Sequence, residues 1–325
     1  MANPRQTKTG KLAAKVAAAR LQVTERVPAM MERDGLGWTR GWASAPCAPY
    51  NAETGRRYTG GNRLYLMGLY DDPRWMTFNQ ARKRGYFPRR GERSEIVEYW
   101  KPMRAYRDAG GDMVVLRKGE EPPDGADAVT RMKLAGVFHV FNADQLADRE
   151  GSPYPPFEGA PQDGPAAPGP LAGTADRLIA SSRCPVREGR SSRAFYDPAA
   201  DAVTLPARER FRSMESFVAT LTHEMGHATA PALGRDAEGA FGSAPYAREE
   251  LVAELASLFC CLDLGVEKAG DLEADANASN HAAYLKSWMA ALRDDPAHLF
   301  RAAADADRAA AYIMERYAAA AEKAA

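Results

Sequence analysis

His223-Glu224-Met225-Gly226-His227 is the stretch on which the reading of this 325-residue chain turns. On a helix, residues at i and i+4 share a face one turn apart, so the two imidazoles are placed to hold one metal ion between them. Glu224 stands beside them, where its carboxylate can take a proton from an attacking water. Hydrophobic spacing predicts that helix from Ser213 to Thr229. Just upstream, the strand-like pairs Phe195-Tyr196 and Val203 to Leu205 enclose an Asp197-Pro198 turn, which predicts a hairpin ahead of the helix. Downstream the pattern stays helical over Ala247 to Leu264, Ser279 to Arg293 and Pro296 to the Ala-rich C-terminus, with Gly265 closing the first of these.

Two histidines leave a zinc-type site short of a third protein ligand. The metzincin spacing would put a histidine where Leu233 stands, so that subclass is excluded. The next carboxylates are Glu249, Glu250 and Glu254, in a segment that begins at Tyr246. Glu250 and Glu254 share one face of a predicted helix whose other faces carry Leu251, Leu255, Leu258 and Leu262. Glu249 is a competing ligand, and the plain alternative for these acids is a solvated helix face. The arrangement resembles the gluzincins, in which a glutamate on the next helix completes the metal sphere. That resemblance implies Glu250 as third ligand and Glu254 as the acid that keeps His223 in one tautomer. Three protein ligands leave a fourth position open, the arrangement of a catalytic zinc site, although the same donors would also accept Mn2+ or another divalent ion. Tyr246 is placed either to polarise a substrate carbonyl or to pack, and the strand at Val203 to Leu205 is a candidate edge for an extended peptide.

The other half of the chain has a different character. Basic and acidic residues balance at 43 each overall, but the stretch up to Ala147 holds 25 basic and 16 acidic residues, a net charge of +9. From Asp148 to Thr174 the composition turns to Pro and Gly without periodicity, which predicts a linker between a 1–147 domain and a 175–325 domain. In the basic part a helix is expected over Leu12 to Glu32. Thr77 and Gln80 form a capping box for a short basic helix that Gly85 stops. Strands are expected at Glu95 to Trp100, Met113 to Arg117 and Arg131 to Phe141. In the last, Met132, Leu134, Phe138 and Val140 alternate with Arg131, Lys133 and His139, which implies a small sheet with one basic face. The expected class is therefore α+β, a small mixed N-terminal domain followed by a mainly helical one with a small sheet. Cations and aromatics interleave in the first domain: Arg56, Arg57 and Tyr58, then Trp75, then Arg82, Lys83 and Arg84, then Arg89 and Arg90. Cations neutralise phosphates while aromatic faces accept unstacked bases, a combination suited to single-stranded DNA.

Several classes drop out. No run of 18 apolar residues exists to cross a bilayer, and the N-terminus lacks the apolar core of a secretory signal, so no membrane partner is expected. Four cysteines without a C-x-x-C pair argue against a disulfide framework and point to a reducing cytoplasm. The order of motifs resembles the ArdC-type antirestriction proteins of plasmids and other mobile elements. The resembling residues are Tyr58-Thr59-Gly60-Gly61-Asn62, Pro73-Arg74-Trp75-Met76-Thr77-Phe78-Asn79-Gln80, Val140-Phe141-Asn142 with Gln145, His223 to His227, Tyr246 to Glu254, and Asn280-His281-Ala282-Ala283-Tyr284 with Trp288. The resemblance implies an N-terminal single-stranded-DNA-binding domain, a linker, a C-terminal zincin-like metallopeptidase domain, and protection of incoming DNA from host restriction. It leaves open a protease with a protein or peptide substrate, and a non-enzymatic DNA-shielding protein whose metal site is structural.

Overall fold

The computed structural model describes residues 47–108, 110–117, 119–158, 171–189, 191–235, 243–266 and 297–324, together with helical positions between 14 and 33. The helix expected over Ser279 to Arg293, and with it the Asn280 to Tyr284 motif and Trp288, lies outside the described residues.

In chain order the N-terminal half runs β1 (Tyr50–Asn51), α1 (Gly60–Leu66), β2 (Arg74–Thr77), α2 (Phe78–Lys83), β3 (Phe87–Pro88), β4 (Glu95–Arg107), β5 (Met113–Val115), β6 (Val129–Asn142) and β7 (Leu146–Ala147). One sheet has the order β1-β2-β6-β4-β5; only the β1–β2 pair is parallel, and β3 pairs separately with β7. The capping box forms at the start of α2, with the Thr77 N–H donating to the Gln80 side-chain oxygen at 2.8 Å and the Gln80 N–H donating to the Thr77 hydroxyl. A second box, Asn142 with Gln145, turns the chain out of β6.

The strict alternation expected along β6 does not hold. Tyr99 opposes Gly136 but Trp100 opposes Leu134, so Ala135 is an extra residue in a β-bulge. A one-residue offset reverses the faces beyond it. Phe138 and Val140 therefore lie on one face of the sheet and Met132 and Leu134 on the other, and β4 and β6 continue as a long antiparallel pair past the end of the core, with β5 on the far end of β4.

The first part of the expected linker is docked. The Tyr154 N–H donates to the Leu146 carbonyl, its ring meets Tyr86 edge to face at 4.7 Å, and the Arg74 guanidinium lies over the Tyr154 and Phe157 rings. The last part is helical, since α3 (Leu171–Ser181) begins before Thr174. Apolar positions at Leu178 and Ala175 bury one stripe of α3, which overrides the local Gly and Pro composition.

After α3 come β8 (Val186–Glu188), β9 (Phe195–Asp197), β10 (Ala202–Leu205), α4 (Met214–Ala228), α5 (Ala244–Asp263) and α6 (Ala297–Ala324). The sheet order β8-β10-β9 puts β10 in the centre. Helix α5 begins three residues earlier than the hydrophobic pattern indicates, because Ser243 caps it and accepts from the Tyr246 N–H. The fold is α+β. Its main core is continuous across both halves: Leu64, Trp75, Val97 and Val140 belong to the same buried cluster as Leu178, Phe217, Leu255, Phe259 and Leu299. Gly60 and Gly61 allow this closeness. Gly60 has φ +54°, and a Cβ on Gly61 would overlap the Phe300 ring of α6.

Candidate metal centre

Helix α4 starts at its Ser213 N-cap and crosses α5 closely. The contact is set by small residues: an ideal Cβ on Gly226 would lie 3.3 Å from the Ala253 Cα and 3.4 Å from the Ala256 Cβ. Buried hydroxyls reinforce it, with Thr222 donating to Ser257 at 3.1 Å and Ser257 donating to the Ala219 carbonyl at 2.8 Å. This crossing brings α5 carboxylates opposite the α4 histidines.

The imidazoles of His223 and His227 stand edge to face with centroids 4.9 Å apart. The Glu250 carboxylate lies between them, Oε2 at 3.6 Å from His223 Nε2 and Oε1 at 3.6 Å from His227 Nε2. One ligand atom from each of the three residues falls within 4.8 Å of the others. Ligands held at about 2.1 Å around a tetrahedral ion stand about 3.4 Å apart, so the nitrogen–oxygen spacing fits one divalent cation. The other ring nitrogens are also engaged. His223 Nδ1 is 3.4 Å from Glu254 Oε2, and His227 Nδ1 is 3.5 Å from Glu249 Oε1. Each histidine therefore has a carboxylate behind it, the pairing that fixes tautomer and ring orientation in metal sites.

Glu249 stands outside the converging trio and is not a solvated acid. It is buried, bound by Arg235 at 2.7 Å and 3.2 Å. Arg235 follows Gly234, whose left-handed backbone turns the chain back over the end of α4, and it also donates to the Gly226 carbonyl and the Thr229 hydroxyl at 2.8 Å each. Nothing in the local sequence singled out Arg235, because its role depends on where that turn returns the chain.

The charges are strongly coupled. Burial disfavours a charged His223, yet Glu250 and Glu254 hold its imidazolium and push its pKa up to about 10. Burial alone would raise Glu250, but His223, His227 and the Tyr246 hydroxyl outweigh it and hold the carboxyl down at about 2. Glu224 is buried and is not one of the three converging ligands; desolvation raises its pKa against the pull of both histidines, and the Tyr196 N–H donates to it. Tyr246 thus faces Glu250. Residues Val203 to Leu205 lie in the central strand and offer no free edge, so the expectation of edge pairing there is corrected: β9, with Phe195 and Tyr196, is the edge strand beside Glu224.

The basic candidates of the N-terminal half divide. Arg56, Arg82, Lys83 and Arg90 are exposed and form no ion pair among the described residues. Arg84 pairs with Glu53 at 3.1 Å, and Arg89 pairs with Glu92 at 3.3 Å while donating to the Asp144 carbonyl. Three candidates are corrected. Trp75 is 1% exposed, packed edge-on against Tyr70 in an interior strand, and has no face for a base. Tyr58 packs against the main core, and Arg57 is bonded to Asp263 of α5 at 2.6 Å. These residues join the halves of the chain. The aromatics left exposed are others, Tyr99, Trp100, Phe138 and Phe78. The sequence signal for them was present in cationic neighbours such as Lys101 and Lys133, but the strand alternation concealed which face they share.

Comparison with known proteins bears on both halves. Residues 17–141 match the family described as the N-terminal domain of the anti-restriction factor ArdC, and residues 173–305 match the zincin-like metallopeptidase family. A DNA primase TraC of Escherichia coli is 35% identical over 303 residues, covering 90% of this chain and 27% of that protein. A second DNA primase TraC of Escherichia coli is 34% identical, with 19% of its length covered, so the chain spans about a quarter or less of these two relatives. The uncharacterized protein y4eC of Sinorhizobium fredii (strain NBRC 101917 / NGR234) is 32% identical over 302 residues, 90% of each chain. Among solved structures, the antirestriction ArdC protein from the R388 plasmid, metal-free, superposes with a TM-score of 0.64 at 28% identity, covering 92% of this chain and 98% of that one. Its Mn(II)-bound form gives the same TM-score at 27% identity.

Proposed function

Because this chain belongs to the ArdC-type antirestriction family, an ArdC N-terminal domain joined to a zincin-like metallopeptidase domain, we propose that it binds single-stranded DNA, carries a metal-dependent peptidase-type site and protects incoming DNA from host restriction. The observation that carries the reading is the convergence of His223, His227 and Glu250 beside a buried Glu224. A divalent cation, zinc or manganese, held by those three side chains supplies the positive charge that polarises a carbonyl and makes water acidic. Glu224 is the proton carrier. Its raised pKa suits it to take a proton from the attacking water and pass it to the leaving amine, while the Tyr196 N–H orients its carboxylate. The β9 edge offers backbone groups to an extended peptide, and Glu249 and Glu254 hold the two imidazoles in register. The N-terminal half brings exposed Arg56, Arg82, Lys83 and Arg90 to phosphates. No helix of the described residues is long and apolar enough to cross a membrane, and we place the activity in the cytoplasm.

The test is hydrolysis of an unfolded protein, such as denatured casein, by the zinc- or manganese-loaded chain with and without a single-stranded oligonucleotide. Glu224→Gln should abolish cleavage and leave metal content unchanged. If Glu224→Gln still protects transferred DNA in a conjugation assay against a restricting host, the peptidase role is wrong and DNA shielding alone is the function.

A further inference from the structure

Past the end of the core, the antiparallel β4–β6 pair presents a face that the bulge at Ala135 creates. Strand β4 keeps its alternation, so Tyr99, Lys101 and Met103 share one face. On β6 the extra residue shifts Lys133 and Arg131, the partners of Lys101 and Met103, onto the same face as Phe138. Without the bulge those cations would lie opposite Phe138.

The resulting surface is aromatic and cationic, and no acid stands between Tyr99 and Met103 on β4 or between Arg131 and Phe138 on β6. Tyr99 and Phe138 are 43% and 49% exposed, with ring centroids 5.6 Å apart, and the Lys101 ammonium lies 5.4 Å from the Tyr99 centroid. Lys101 and Lys133 are directly opposed across the ladder, a like-charge pairing that works against the strand pairing. Neither Lys133 nor Arg131 forms an ion pair among the described residues, and both are exposed. Two solvated rings and a row of cations that form no ion pair among the described residues are a poor solution for a strand pair without a ligand. They are a good one for a flexible polyanion that carries its own π faces.

We infer that this face of the β4–β6 pair is the base-stacking platform for single-stranded DNA, with Tyr99 and Phe138 stacking on bases and Lys101, Lys133 and Arg131 tracking the phosphates. The inference rests on the DNA-binding part of the reading above and assigns it to residues that the linear pattern of arginines does not include. Commitment to a single strand follows from the rings: bases in a duplex have no free face to stack on.

The experiment is fluorescence anisotropy of the full chain with a labelled oligo(dT) of about 20 nucleotides and with a matched duplex, over a range of salt. Tyr99→Ala with Phe138→Ala should weaken oligo(dT) binding at least tenfold without changing the slope of log K against log salt. Lys101→Gln with Lys133→Gln should flatten that slope by about 1.4, two phosphate contacts at 0.7 each. Tyr99→Phe with Phe138→Tyr keeps both rings and should bind as the parent does, which separates stacking from loss of fold. Parent binding that survives the double alanine change overturns the platform while leaving DNA binding intact. Failure of the parent to bind at low salt overturns the underlying reading, and an equal loss on duplex overturns the assignment to single strands.

Discussion

Replacing Arg63 by alanine tests whether the two halves of the chain depend on one another. The Arg63 guanidinium is buried in the seam, with its side chain 5% exposed. It donates to Asp263 at 2.9 Å and 3.3 Å, to Asp307 at 3.4 Å and to the Phe259 carbonyl at 2.9 Å, and it stacks 4.3 Å from the Phe259 ring. Removing one partner from a buried ion pair costs about 3–5 kcal/mol, mostly because the other charge stays behind. Asp263 keeps Arg57, so the lower end of that range applies, and Asp307 becomes the stranded charge. With an unfolding entropy of about 2.1 cal/mol/K per residue, this 325-residue chain shifts by roughly 1.5 °C per kcal/mol, so a loss of about 3 kcal/mol lowers Tm by roughly 4–5 °C. Asp307 already sits above its ordinary pKa through burial, and losing Arg63 raises it further. A carboxyl whose folded pKa is raised destabilises the fold above that pKa, and the penalty fades as pH falls towards the unfolded value of about 3.9. Thermal unfolding of the ion-free full chain at pH 7 and pH 5 should therefore show a deficit that shrinks at the lower pH. A variant within about 1 kcal/mol of the parent at pH 7, or a deficit that does not change with pH, would refute the reasoning.

Two further outcomes follow from the site. Gly226→Val places a branched side chain against Ala253 and Ala256, which forces α4 and α5 apart. Overpacking of this kind costs about 1–3 kcal/mol, and calorimetric metal affinity should fall at least tenfold because Glu250 withdraws from the histidines; unchanged affinity would show that the close crossing does not position the ligands. Metal binding should also release a proton, since His223 with a pKa of about 10 is protonated in the ion-free chain at pH 7 and must become neutral to ligate. Affinity should then rise with pH up to about 10 and level off above it. In the ion-free chain the sign is opposite: the raised His223 pKa contributes stability that is complete below the unfolded value of about 6.5 and lost as pH rises through about 10. Calorimetry in buffers of different ionisation enthalpy reads the released proton directly, and no buffer dependence would count against it.

Local patterns carried much of the architecture. The Thr77–Gln80 box, the Phe195 to Leu205 hairpin, the His223–His227 helix and the acid-bearing helix after it are all decided within a few residues, by capping chemistry and by periods of two and 3.6. For the same reason His223 and His227 were legible as a pair, since i and i+4 on one helix are neighbours by geometry alone. What joins separate segments was not legible. Which carboxylate faces both histidines is decided by how closely α5 crosses α4 at Gly226, and that same crossing buries Glu249 against Arg235. Trp75 and Arg57 read equally well as DNA contacts, and only the shared core and Asp263 show that they hold the halves together. The bulge at Ala135 is the sharpest instance, because one extra residue in β6 moves Lys133 and Arg131 to the face of Tyr99 and Phe138, and a bulge is a property of two paired strands. Residue identity along this chain determined its capped and periodic segments and its chemical inventory; the long-range pairing of those elements decided which side chains meet, because the energy of such contacts depends on partners tens to hundreds of residues away.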